Sequence, residues 1–234
     1  MMSKKKTLKY SFMSTLPVMA GYLVLGAGFG ILLHEKGYSF WWAVLMSLCI
    51  YAGSMQYVGV ELLSCGASLL SAAIMTLMVN ARHIFYGISM VEKYRDMGRK
   101  KPYLIFSLTD ETYSLVCDAN LPEGVDKKQY YFLVSLFNQC YWVFGSFLGG
   151  VLGNIIPFNT KGIDFSMTAL FVVIFVEQWE STKQHLPAIL GLFFSVIFLI
   201  IFGAGHFLIP AMISIPVALF AFKKKITKGD SADD

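Results

Sequence analysis

Charge is scarce in this chain: only 15% of its residues are Asp, Glu, Lys or Arg, where soluble domains carry about a quarter. With 56% hydrophobic residues and a mean hydropathy of +0.60, that scarcity excludes a soluble globular core. Cysteine is also sparse. Cys49, Cys65, Cys117 and Cys140 include no close pair, which removes a disulfide framework and a zinc site. Most of them lie in apolar segments and are expected to be buried as small hydrophobes. A Gly-x-x-x-x-Gly-Lys-Ser/Thr loop, a nucleophile elbow and metal-ligand spacing are all missing. An ATP motor of that type is therefore excluded, and no cofactor is expected. The N-terminus lacks a clear small-x-small cleavage site, and its apolar stretch runs to about Leu33. Lys4-Lys5-Lys6 thus opens a retained first helix, not a signal peptide.

What the chain does have is apolar length. The pattern predicts an all-α, polytopic integral membrane helix bundle of six to seven hydrophobic segments, forming a single domain over residues 1–234. Residues 226–234 are expected as a disordered tail. The segments are 10–33, about 40–63, 67–90, 103–118, 129–153, 164–178 and 187–222, the last interrupted by Gly203-Ala204-Gly205-His206 and Pro210. Trp41-Trp42 marks an interface. Spaced glycines at 145, 149, 150 and 153 form a helix-packing face.

The net charge of +4 is concentrated at Lys4–Lys9, Lys93–Lys101 and Lys223–Lys228, each bordering an apolar run. The positive-inside rule puts the N-terminus, the Glu92–Lys101 loop and the C-terminus in the cytoplasm. Three full crossings before residue 92 would contradict that placement, so either one early segment is broken or re-entrant, or one basic cluster does not mark the cytoplasmic side. Gly26-Ala27-Gly28-Phe29-Gly30 is the candidate break, with close helix packing as its alternative reading. Three apolar segments before residue 92 and about three after 129 also suggest an inverted repeat.

Buried polar residues carry the chemistry. Asn80, Arg82 and His83 lie in a spanning segment, with roughly 12 Å of helix between Arg82 and the charged Glu92-Lys93 border. At that depth they should face protein or a wet cavity. Arg82 is expected to pair with Asp110 or Glu111, because an unpaired buried charge costs several kcal/mol. The pair would be either functional or purely structural. His83 could shuttle a proton or be a satisfied structural histidine. Ser107, Asp110, Glu111, Ser114 and Asp118 fall at i, i+3, i+4, i+7 and i+11, one face of a helix over 103–118. That face would line a polar cavity or lie at the membrane interface. Gln56, Asn138 and Gln139 could bind a zwitterion's ammonium and carboxylate, or simply join helices by hydrogen bonds.

Ala52-Gly53-Ser54-Met55-Gln56, Asn80-Ala81-Arg82-His83-Ile84-Phe85-Tyr86-Gly87 and Thr109-Asp110-Glu111-Thr112-Tyr113 occur in that order, followed by Ile163-Asp164-Phe165. Together they resemble the AzlC-type branched-chain amino acid permeases, the azaleucine-resistance family of bacteria. The resemblance runs from Pro17 to the last helix. It implies the large subunit of a two-component exporter in the bacterial inner membrane. Its substrates would be leucine, valine and isoleucine, with methionine in some relatives, and its partner a smaller AzlD-type membrane protein. Transport would be secondary, driven by an ion or proton gradient. The residues expected to bind substrate are Gln56, Asn80, Arg82, Asn138 and Gln139. Those expected to couple protons are His83, Asp110 and Glu111. A membrane scaffold without transport of its own, a channel and an intramembrane hydrolase using His83 with Asp110 and Glu111 are the rival readings.

Overall fold

The structure is a computed structural model that describes residues 2–117, 119, 121–155, 185–203 and 207–221, with scattered positions between 165 and 180. Asp118, Ile163-Asp164, Ala204-Gly205-His206 and the tail lie outside the described residues. The chain forms two compact units, Met1–Met167 and Thr168–Asp234. Among the described residues every regular element is helical.

Unit 1 is built on two long helices, α1 (Met2–Glu35) and α8 (Lys127–Ile155), both long and apolar enough to cross a membrane. They run parallel along their whole length. At one end the Asp126 amide donates to Thr7 Oγ1 (3.0 Å) and Tyr10 meets Tyr130 (5.7 Å between rings). At the other, Gly153 lies against His34. Between the ends the helices touch backbone to backbone. A Cβ on Gly145 would come within 2.8 Å of the Tyr22 carbonyl oxygen, one on Gly26 within 3.0 Å of the Trp142 carbonyl, and one on Gly149 would collide with Ala27. Only glycine permits that approach. The 26–30 glycines therefore serve packing: α1 continues unbroken through them, and the break expected there lies elsewhere.

It lies first at Ile50–Ala52, between α2 (Phe40–Cys49) and α3 (Gly53–Ser64). Tyr51 stands there with φ of 45°, a left-handed value that terminates a helix. α2 runs against the direction of α8, from Phe40 beside Gly150 down to Ser47 beside Ser146. α3 then starts at Gly53, against the Trp142 ring, and climbs back. Tyr57 donates to the Leu25 carbonyl (2.7 Å), and Glu61 pairs with Lys36 at 3.6 Å, just past the end of α1. These 10- and 12-residue helices, about 15 and 18 Å long, are each too short to span. They form a re-entrant hairpin whose tip reaches mid-depth.

After a Cys65-Gly66 turn, α4 (Leu69–Asn80) and α5 (Arg82–Met90) cross back, bent by 49° at Ala81. Taken as one span they are a third candidate crossing. Met90 ends in the cluster around Tyr94, Met97, Tyr130 and Tyr131, level with the start of α8. Tyr94 is buried there, and burial beside Tyr131 pushes its hydroxyl well above the usual phenol range. The Glu92–Lys101 loop and the N-terminus of α1 therefore share one end, as their common basic character requires.

From that end the chain enters again. α6 (Lys101–Phe106) rises past Phe132 and Gln139, breaks at Ser107–Thr109, and α7 (Asp110–Cys117) returns to where the Tyr130 hydroxyl donates to the Leu115 carbonyl (3.3 Å). The amphipathic face expected over 103–118 is thus interrupted: 103–106 and 110–117 are separate short helices. The two hairpins enter from opposite ends, and their tips meet, Tyr51 facing Phe106 at 6.2 Å. The inverted repeat expected between the residues before 92 and those after 129 includes segment 164–178, which lies largely outside the described residues.

Of the six to seven hydrophobic segments expected, two described helices are long and apolar enough to span, or three with the bent pair; the runs at 40–63 and 103–118 are each divided, and 164–178 lies largely outside the described residues. The cysteines also differ from expectation. Cys49, Cys65 and Cys140 are exposed, and Cys117 is half-buried against the cluster around Tyr94 and Tyr131. In unit 2, α9 (Leu186–Phe202) and α10 (Leu208–Ala221) pack on each other after Gly203, whose φ of 71° ends α9.

Candidate functional site

Three helix interruptions converge at mid-depth, and each contributes through the residues beside it. Arg82 is the first residue of α5, just after the bend. Its Nη1 pairs with Asp110 Oδ2 at 2.5 Å and its Nη2 donates to Ser54 Oγ at 2.5 Å. Ser54 lies in the first turn of α3, and Asp110 is the first residue of α7. The guanidinium is therefore clamped between the second helices of both hairpins. Those helices direct their N-terminal ends toward it, where an acidic side chain is favourably placed. Only about a quarter or less of either side chain is exposed, 26% for Arg82 and 16% for Asp110. The pair expected from sequence is present, and Asp110 is the partner.

Among the described residues, two buried acceptor atoms at the site, Asp110 Oδ1 and Asn80 Oδ1, have no hydrogen-bond donor. Asn80 closes α4 and Arg82 opens α5, so both flank the bend. His83 uses Nδ1 against the Asn80 carbonyl oxygen (3.2 Å) and packs edge-on against Tyr86 (5.9 Å). Tyr86 in turn stacks on Tyr113 of α7 at 4.6 Å, joining α5 to α7 beside the ion pair.

Glu111 turns the other way. Its Oε2 lies 2.6 Å from the Tyr22 hydroxyl of α1, and that hydroxyl is 2.7 Å from Thr109 Oγ1. Thr109 donates to Thr112 (3.1 Å), and Asn138 Nδ2 of α8 donates to Thr112 Oγ1 (3.0 Å). Asn138 is thereby near the site but engaged with α7. Gln139 accepts from Tyr103 at 2.8 Å, holding α6 to α8.

Gln56 is placed apart. It is fully buried, donates to Ser47 Oγ (3.1 Å) and accepts from Trp142 Nε1 (2.8 Å), while Ser47 donates to Ser146 (2.8 Å). This closed network ties α2, α3 and α8 together at the first hairpin's tip, the interhelical role left open for it. Trp142→Phe should leave a buried amide oxygen unpaired and lower stability by about 1–3 kcal/mol, read as a fall in melting temperature of the purified protein. Unchanged melting would show that the network carries no stability.

The residue patterns did not single out Ser54 or Tyr22. Ser54 stands inside the Gly53–Gln56 motif without an obvious partner. Tyr22 offers a weak signal, a phenol in mid-span whose hydroxyl must find a partner when buried. Among the described residues, no three of His, Cys, Asp or Glu come together as metal ligands.

The stretch that builds this site coincides with a known family. Residues 17–156, from within α1 to just past α8, match the AzlC protein family. The chain is 46% identical over 233 residues to the branched-chain amino acid transport protein AzlC of Bacillus subtilis, covering 98% of this chain and 92% of that one. An uncharacterized membrane protein of Haemophilus influenzae is 46% identical over 208 residues, 88% of this chain and 85% of its own. The inner membrane protein YgaZ of Escherichia coli is 26% identical over 215 residues, 88% and 82% of the two chains. No solved structure matches. By a family match over more than half its length and near-complete coverage of the Bacillus relative, this chain belongs to the AzlC family.

Proposed function

We propose that this chain is a secondary transporter of small zwitterionic amino acids with branched aliphatic side chains, leucine, valine and isoleucine, with methionine as a further substrate. The observation that carries the reading is the Arg82–Asp110 pair held where two opposed re-entrant tips meet. Discontinuous helices and a charge pair at mid-depth are the parts an alternating-access site needs. The Bacillus relative's name, a branched-chain amino acid transport protein, supports the same substrate class.

In this reading the internal pair is exchanged for the substrate's two poles. The amino acid's carboxylate takes Asp110's place on Arg82, with Ser54 beside it, and its ammonium takes Asp110 and the unpaired Asn80 oxygen. One internal opposite-charge contact becomes two, so a buried zwitterion is not left uncompensated. Gln56, Asn138 and Gln139 set the walls through their helix contacts. Apolar surroundings discriminate side chains only by about 1–3 kcal/mol per methylene, so a group of similar aliphatic substrates is expected rather than one. One of the two acids, Asp110 or Glu111, carries the coupled proton together with His83.

The remaining parts of the proposal are an inner-membrane location with the basic end cytoplasmic, operation as an exporter, and a small AzlD-type membrane partner. Labelled leucine, valine, isoleucine and methionine should show flux into proteoliposomes that depends on an imposed pH gradient and requires the co-reconstituted partner. Absence of flux for all four, with and without the partner, would sink the substrate assignment.

A further inference from the structure

Asp110 and Glu111 are consecutive acids, about 100° apart on their helix, and they serve different neighbours. Asp110 faces α5 and holds a guanidinium. Glu111 faces α1 and, among the described residues, makes no ion pair; its close partner is a phenol. The ionisable or charged groups around Glu111 are Tyr22 on α1, Tyr51 at the first tip, Tyr86 on α5 and Asp110 on its own helix. All four are neutral or anionic, and Arg82 is engaged by Asp110 and Ser54.

The contacts of Glu111 constrain where its neighbours' protons lie. Thr109 has one hydroxyl proton and donates it to Thr112 (3.1 Å). The 2.7 Å contact between Thr109 and Tyr22 must then use the Tyr22 proton. The 2.6 Å contact has Tyr22 donating to Glu111 Oε2; when the Tyr22 proton is turned to Thr109 instead, that contact needs a proton on the carboxyl. Every hydroxyl in this row then points away from Glu111. Loss of that proton reverses the row: Tyr22 donates to the carboxylate, Thr109 to Tyr22 and Thr112 to Thr109. Asn138 Nδ2 donates to Thr112 in both directions and anchors the far end. Asn138 is fully buried, and among the described residues its Oδ1 has no hydrogen-bond partner.

We propose that Glu111, through the row Tyr22–Thr109–Thr112–Asn138, is the carboxyl that takes up and returns a proton, while Asp110 stays ionised as the counter-charge of Arg82. One O–H bond forms on Glu111 with a proton drawn from the aqueous phase; the other hydroxyls only turn. The row links α1, α7 and α8, so its direction is felt by the two long helices and the second hairpin together. Its use in coupling rests on the transport reading above, but the protonation itself does not.

Infrared spectra of the full chain in lipid, recorded across a pH titration, test it. A carboxylic C=O band that titrates should vanish in Glu111→Gln and persist in Asp110→Asn. It should move to higher frequency in Tyr22→Phe, where the protonated carboxyl loses its acceptor, and shift in Thr112→Val, where the row is cut. A titrating band that survives Glu111→Gln, or one indifferent to both Tyr22→Phe and Thr112→Val, overturns the proposal. Tyr22→Phe retains every acid, so the test holds even if Glu111→Gln fails to fold. Leucine flux on the same vesicles reads the transport proposal separately: flux without the band refutes the row alone, and the band without flux refutes transport alone.

Discussion

Arg82→Met, with Asp110 left in place, should destabilise the protein by about 3–5 kcal/mol, the cost of leaving one partner of a buried pair uncompensated. For a chain of this size that is on the order of 10 °C in melting temperature. The double variant Arg82→Met/Asp110→Leu should recover most of the stability, because replacing both charges by apolar groups of similar volume is often neutral. Ser54 Oγ loses its donor in both variants but keeps the option of bonding within its helix. If the single variant melts like the wild type, the pair is not held in the dry, tip-to-tip contact described above. The comparison also separates structure from function: the double variant should be folded and silent in transport.

The second large effect comes from the α1–α8 contact. Any side chain at Gly149 would place its Cβ on the backbone of Ala27, and one at Gly30 would meet the backbone of Ser146 and Gly150. Ordinary overpacking costs about 1–3 kcal/mol because side chains can give way. Backbone cannot, so Gly149→Val should separate the two spanning helices and yield no monodisperse protein by size exclusion. Gly21, on the same helix α1, has open space around it, with nothing within 4 Å of where a Cβ would stand. Gly21→Ala should be neutral or stabilising by about 0.5–1 kcal/mol. Equal tolerance at both positions would refute the close parallel packing.

That contrast explains what the residues alone could and could not disclose. Glycine in a membrane helix serves either unwinding or close approach, and Gly26 to Gly30 satisfy both descriptions until the facing glycines of α8 are seen in register. The need for an interrupted early segment was legible, because two basic loops cannot lie on one side after three crossings. Its position was not. Tyr51 adopts a left-handed φ without being glycine, and nothing local announces that. The Arg82–Asp110 pair was legible because a deep arginine must find an acid. The divergence of Asp110 from Glu111 was not, since spacing over 103–118 assumed one continuous helix and the chain breaks at Ser107–Thr109. Tyr22 escaped for a related reason: its partner lies 89 residues away, at the tip of a hairpin no periodicity reveals.

The central claim is that an amino acid crosses the membrane by exchanging its two charges with Arg82 and Asp110. Counterflow of labelled leucine, in proteoliposomes containing either the wild-type chain or Arg82→Met/Asp110→Leu, each with the small partner, tests it directly. Exchange is expected with the wild type and none with the double variant, at matched amounts of folded protein. Counterflow through the double variant at the wild-type rate would contradict the claim.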